Sequence, residues 1–295
     1  MPTSLPHSPD GIGIAVVDTV VTDEGWRLGL AIPGDLHGPN GILQGGFSAA
    51  LARVAAAHLL DGHNVLPGRT SQDISSVRSR LRRPTPVNAL LYADVERDGP
   101  TDFEVRIRNG DEVTVTSWVE VLGPPPVPLI GDLADVARMA VAPAQEQTGF
   151  PLCFVCGASS LRGLHLAPRP IGSTGLGVTP WIPDARVDDG AGAAHPLAVA
   201  AVLDCPGVWA GLAQVGNDAD RAVALLGEFR IQWFSPPRLG REYKAVARVD
   251  DSSGSTLQVR TALFDELDKM CALVSAVHVF APGVPAPPTA DRSLA

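Results

Sequence analysis

Two glycines, Gly45 and Gly46, stand where a glycine-rich loop meets an apolar helical stretch in the run HGPNGILQGGFSAALARVAAAHLL, residues 37–60. The first amides of a helix have no carbonyl partners and lie at the positive end of its dipole. Glycine adds no Cβ to shield them, so the pair offers backbone N–H groups to a developing oxyanion. A Gly-Gly before a helix is also an ordinary turn, because glycine adopts angles other residues resist. The second candidate is Asp204, flanked by Val202, Leu203, Cys205 and Val208 in another apolar helical run. Aspartate is a poor helix-interior residue and is seldom buried without a partner. An acid held in that setting suits general-base work. Cys153 and Cys156 have zinc-ligand spacing, but no second CxxC or CxxH follows at a suitable distance, so no metal is expected.

The elements that must position these groups come in two passes. GIAVVDTV and GWRLGLAI read as strands around a turn at Thr22–Gly25, since β-branched residues are dense on either side of turn formers. A helix over 47–60 follows, with Phe47, Leu51, Val54 and His58 at the spacing of one buried face. ISSVRSRLRR, ALLYADVERDG, DFEVRIRNG and EVTVTSWVEVL then read as antiparallel strands with alternating wet and dry positions. The proline-rich stretch Gly123–Pro151 is a linker, with a short helix expected over Asp132–Ala140. The second pass runs LCFVCG, a glycine-containing turn, GLHLAPRP and GLGVTPWIP as strands, a small-residue loop Asp188–Ala194, and a helix from Pro196 to Leu212. Strands at EFRIQWFS, REYKAVARVDD, TLQVRTALFDE and MCALVSAVHVFA complete it. Pro84 after the strand near Arg78 matches Pro236 after the strand near Arg230 at one offset, 152 (236 − 84 and 230 − 78). His195 stands in the place of Gln44. Shared element order and shared offsets indicate an internal duplication.

HGPNGILQGGFSAALA resembles the loop and central helix of hotdog-fold acyl-CoA thioesterases, whose usual wording is a Gly-Pro-x-Gly loop followed by His-Gly-Gly. CFVCGASSLRGLHL resembles the entry segment of the same families, and AAHPLAVAAVLDCPGVWAGLA their central helix, with an Asp nine residues past the His. The resemblance implies an α+β fold of two fused hotdog units, each an antiparallel sheet wrapped around one central helix. The expected division is 1–123 for the first unit, 124–150 for the linker, 151–281 for the second unit and 282–295 for a disordered tail. It also implies sites between units, with helix-start amides from one and an Asp or Glu from the other as nucleophile or general base. Nine residues past Gln44 is Arg53, and nine past His195 is Asp204. The first half thus keeps the glycines and the second keeps the acid, with Pro196 and Leu197 where the glycines would be. Proline has no N–H to donate. One site per chain is expected, built of Gly45, Gly46 and Asp204; the mirror site, Arg53 facing Pro196, is inactive or only binds. Gln44 is expected to hydrogen-bond the ligand in place of the family's His. Asn40 is a turn residue with reach to the carbonyl, and His195 a ligand contact or a helix cap.

The implied reaction is hydrolysis of an acyl-CoA thioester without a cofactor. The alternatives are a non-catalytic acyl-CoA or acyl-carrier binding protein, and a hydratase or dehydratase of the same fold. The last needs an Asp and a His close together in an Asn-Pro-x-His type loop, wording that neither Gly38-Pro39-Asn40 nor Asp188–His195 matches. Strand arginines (Arg78, Arg80, Arg82, Arg83, Arg230, Arg238 and Arg241) have the chemistry to meet phosphates, though alternating Arg is more often a strand's wet face. A net charge of −9 argues against nucleic acid. With no unbroken run of about 18 apolar residues and no secretory pattern in MPTSLPHSPD, no membrane span and a cytoplasmic location are expected. Paired hotdog units often stack further, so a homo-oligomer is also expected.

Overall fold

The computed structural model describes residues 11–123, 125–128, 130–138, 150–216 and 224–281, and for Asn40 the backbone alone. The expected loose start, 1–10, and tail, 282–295, lie outside the described residues. The first pass builds β1 (Ala15–Thr22), β2 (Gly25–Ile32), α1 (Gly45–His63), β3 (Ile74–Leu81), β4 (Ala89–Arg97), β5 (Asp102–Asn109) and β6 (Glu112–Val121). After α2 (Gly131–Arg138), the second pass builds β7 (Arg169–Pro170), β8 (Leu176–Trp181), α3 (Pro196–Val215), β9 (Ala224–Trp233), β10 (Tyr243–Asp251), β11 (Thr256–Asp265) and β12 (Met270–Phe280).

All the strands join one antiparallel sheet in the order β1-β2-β4-β5-β6-β3-β9-β12-β11-β10-β8-β7. The second half of that order is the first reversed, element for element, which is what a pseudo-twofold axis between β3 and β9 produces. Across this seam Arg78 lies opposite Arg230, the residue 152 positions on (230 − 78), so the axis passes between them. Like charges facing each other across strands repel. Here Arg78 stacks 4.5 Å over the Trp118 ring, and Arg230 leans to Glu120 at 4.0 Å.

The sheet wraps α1 and α3, and the two helices pack on one another. Alanine makes that possible: Ala49, Ala50, Ala52, Ala55 and Ala56 leave α1 thin enough to be covered on nearly every side. The expectation of one buried face is therefore corrected. Phe47 and Leu51 are sealed, but Val54 and His58 are only half-buried while Ala52 and Ala55 are sealed. Helix α3, whose apolar run is broken by Asp204, is long and apolar enough to cross a membrane by length and composition alone; its most apolar window is 78% buried inside the protein. Of the segment GLHLAPRP, only Arg169–Pro170 pairs as strand. Leu164 and Leu166 instead send their amides to Phe154 and Val155 in the entry turn.

The linker helix α2 packs Leu133, Val136 and Ala137 on the outer face of the second unit, against Val178, Val246, Ala262 and Phe264. Asp132 fixes its start by pairing with Arg248 and Arg260 at 2.9 and 3.0 Å.

Candidate active site

Helix α1 begins at Gly45, and its start meets the middle of α3. A Cβ on Gly46 would stand 2.6 Å from the Ala200 carbonyl carbon and 2.7 Å from Ala201 Cα, closer still to the Ala200 oxygen. A Cβ on Gly45 would stand 2.7 Å from Asp204 Oδ2. The glycines thus let two backbones touch, and that contact delivers Asp204 to the helix start.

Three donors converge on the Asp204 carboxylate. Gln44 Nε2 donates to Oδ2 at 2.7 Å, the Gly46 amide to Oδ2 at 3.2 Å, and His278 Nε2 to Oδ1 at 2.9 Å. A carboxylate has about four acceptor sites. Both on Oδ2 are taken and one on Oδ1 remains. The carboxylate borders a cavity of about 230 Å³ whose walls include Ile42, Leu43, Val208, Trp209 and Leu226, with Gly45 and His278 beside the acid.

Several expected roles change in this geometry. Gln44 is not a ligand donor, because its amide hydrogens go to Asp204 and to the Ala201 carbonyl at 3.3 Å, while its Oε1 caps α1 by accepting from Phe47 N. The Gly46 amide is likewise spent on Asp204. That leaves Gly45 as the amide of the first turn with no hydrogen-bond partner among the described residues. His195 caps α3: its Nδ1 accepts from Leu197 N at 3.2 Å. Gln44 and His195, matched by the repeat, do the same job at matched helix starts. Asn40 lies in a short 3-10 turn, Pro39–Gly41, and its side chain is outside the described atoms.

The residue that sequence reasoning missed is His278, 74 positions from Asp204 and only 1% exposed. A signal existed. Ala272, Val274, Ala276, His278 and Phe280 share the buried face of β12, so a polar residue sits in the apolar phase of an alternating strand. The register of β12 against β9 slips between Val277 and His278, a local irregularity of the kind that re-aims side chains beside sites.

Arg53, the counterpart of Asp204, lines a second cavity with His195, Pro196 and Leu197. It is 8% exposed, donates to Ile74 O at 3.1 Å and Ser71 O at 3.2 Å, and lies 4.6 Å over the Trp233 ring. Burial lowers its pKa to about 10, with Asp61 opposing, so it is a cation at neutral pH and takes no proton as a base. The amide of Leu197 is already bonded to His195 Nδ1. Asp61 and Asp189 line the second cavity, but Pro196 has no N–H and the Leu197 amide is taken, so neither acid meets a free amide of the α3 start.

No protein-family model and no curated protein matches the sequence. In fold the chain is similar to the tesB protein of Mycobacterium avium subs paratuberculosis, at 17% identity and TM-score 0.62, over 90% of this chain and 97% of that one. It is also similar to a conserved protein of unknown function with hot dog fold from Alicyclobacillus acidocaldarius, at 15% identity and TM-score 0.58, over 93% and 98%. A third likeness is to a trans-AT PKS dehydratase domain from Brevibacillus brevis, at 14% identity and TM-score 0.63, over 94% and 100%. These likenesses and the mirrored strand order give the fold: the chain is a double hotdog, two hotdog units joined in one polypeptide.

Proposed function

We propose that the protein hydrolyses acyl thioesters, coenzyme A esters first, at one hybrid site per chain. The observation that carries this reading is the meeting of Asp204, from the second unit, with the start of the first unit's helix at the wall of an apolar cavity. The acyl group lies against Leu43, Val208 and Leu226. Its carbonyl oxygen faces the Gly45 amide, where the helix dipole favours the charge that develops during attack. The open acceptor site on Asp204 Oδ1 holds a water molecule and takes its proton as that water attacks. Three donors already restrain the carboxylate, so general-base work, which needs one lone pair, suits it better than nucleophilic attack. Arg82 and Arg83, which also reach Thr116 and Glu112, border the same cavity and offer their charge to the phosphates of a coenzyme A ester. The tesB name of one structural neighbour agrees with this reading.

A dehydratase is the second reading, favoured by the 2.9 Å contact between Asp204 and His278 and by the dehydratase neighbour. It requires a histidine nitrogen to reach the substrate. Nε2 is spent on Asp204, and Nδ1 is buried without a partner.

The test is a panel of acyl-CoA esters of rising chain length, matched short thioesters lacking the phosphates, and a 3-hydroxyacyl ester. Free thiol and enoyl absorbance are followed together. Thiol release with a lower KM for the CoA esters supports the proposal; enoyl formation without thiol supports the dehydratase; neither, with CoA esters raising the Tm, supports a binding protein.

His278 is a positioning residue in the hydrolytic reading. His278→Ala is expected to lower kcat about 10- to 100-fold with little change in KM, since one hydrogen bond to a charged group is worth about 1.5–3 kcal/mol. His278→Gln, whose amide also donates to Asp204, is expected to recover much of that loss. A histidine acting as the proton carrier would not be rescued by glutamine.

A further inference from the structure

Three buried sulfurs take no part in the hydrolytic reading. Cys153 and Cys156 lie in the entry turn of the second unit, and Cys205 follows Asp204 on α3. The Cys205 sulfur is 3.8 Å from that of Cys153 and 3.7 Å from that of Cys156, and all three lie within 4.8 Å of one another. Zinc bound tetrahedrally to sulfur at about 2.3 Å spaces its ligands about 3.8 Å apart. The two short separations already have the edge length of that tetrahedron. Sequence spacing supplies only two of these ligands; the third is brought by the packing of α3 on the turn.

Amide and indole N–H groups lie against these sulfurs. The Cys156 amide donates to the Cys153 sulfur, and the Phe150 amide supports Cys156. The Trp209 indole N–H, buried without a hydrogen bond of normal geometry, lies close enough to Cys156 to favour its charge. The Cys205 S–H donates to the Cys156 sulfur across 3.7 Å, and Cys153 and Cys205 share a second S–H contact of 3.8 Å. A divalent cation would take the place of the protons in those two contacts. The turn itself is closed by Gly157, whose Cβ would stand 2.5 Å from Cys153 N and from Pro151 O.

We propose that Cys153, Cys156 and Cys205 form a metal site for one zinc ion, bound as three thiolates with the fourth position open toward the cavity that Cys153 and Cys205 border. Binding releases the remaining thiol protons to solvent. The turn is also tied to the first unit, since Phe154 N donates to His37 O at 2.7 Å. The ion would thus staple both units to α3 one residue from Asp204. Nothing in this depends on the hydrolytic reading.

The test is metal content and cobalt spectroscopy on the full chain. After expression with zinc and gel filtration, about one zinc per chain is expected, and the metal-free chain reloaded with cobalt(II) is expected to show thiolate-to-metal charge transfer and tetrahedral d–d bands. Cys156→Ser and Cys205→Ser are expected to hold less than about a tenth of that metal, while Cys271→Ser, on β12, keeps it. Two results would overturn the proposal: no cobalt–thiolate band in the wild-type chain, or full zinc content in folded Cys205→Ser. The wild-type cobalt spectrum decides even where a serine variant does not fold.

Discussion

Asp204→Asn is expected to lower kcat for thioester hydrolysis by about 10²–10⁴-fold, the usual share of a general base, with KM close to wild type and a smaller loss of stability. The site survives the change because the hydrogen bonds to the carboxylate can be re-made. The asparagine oxygen takes the place of Oδ2 and accepts from Gln44 Nε2 and the Gly46 amide. Its NH₂ then faces His278 Nε2, which accepts once the ring proton moves to Nδ1. The buried charge is lost, but the proton now on Nδ1 of His278 is a buried donor without a partner, so a stability loss of about 1–3 kcal/mol is expected, less than the catalytic loss. Only the lone pair that takes the water's proton disappears. Steady-state kinetics with free-thiol detection, alongside urea unfolding, reads both halves of the expectation. Unchanged kcat would remove Asp204 from the chemistry. A fall in kcat accompanied by an equal fall in Cm would make it a structural residue.

The two halves of this site differ in how far the sequence displays them. The helix start at Gly45 and the acid at Asp204 are legible because each belongs to a local pattern, and the repeat offset aligns the two patterns. What the acid touches is not local. His278 arrives along β12, and Gln44 reaches Asp204 only because α1 and α3 cross at Gly46. Those partners depend on register and crossing, which no spacing rule encodes. The same limit explains the reassignments. A chain count of donors at the helix start gives Gly45, Gly46 and Gln44 to the ligand, whereas the fold lets Asp204 consume two of the three first. It explains Cys205 as well, an ordinary helix cysteine until the entry turn is packed against it. The duplication was legible, since the offset of 152 that equates Arg78 with Arg230 also relates the two residues that face one another at the seam (230 − 78). The strand order was not legible, because alternation tells which face a strand buries and not which strand it pairs with. The near-complete burial of α1 was not, because its alanines carry little periodic signal and take their burial from a second helix.

Gly46→Ala is expected to cost about 3 kcal/mol of stability, at the upper end of what one added methyl costs in a packed core. The reason is what that methyl meets. Its neighbours are the carbonyl and Cα of Ala200 and Ala201, backbone atoms in the interior of α3 that have no rotamer to change. The helices must separate by a good part of an ångström, and the separation is felt at once by the contacts that cross between them. Gly46 N to Asp204 Oδ2 and Gln44 Nε2 to Ala201 O lengthen together. Activity should therefore fall even in the fraction that stays folded. Gly62→Ala supplies the control on the same helix: an added Cβ there meets nothing within 4 Å, and the site is exposed. In an exposed helix position alanine is favoured over glycine by about 0.8–1.0 kcal/mol, so this variant should be slightly stabilised with unchanged kcat. Urea midpoints at constant m-value separate the two. If Gly46→Ala were as stable and active as Gly62→Ala, the close crossing of α1 and α3 would not be what holds Asp204 at the first unit's helix start.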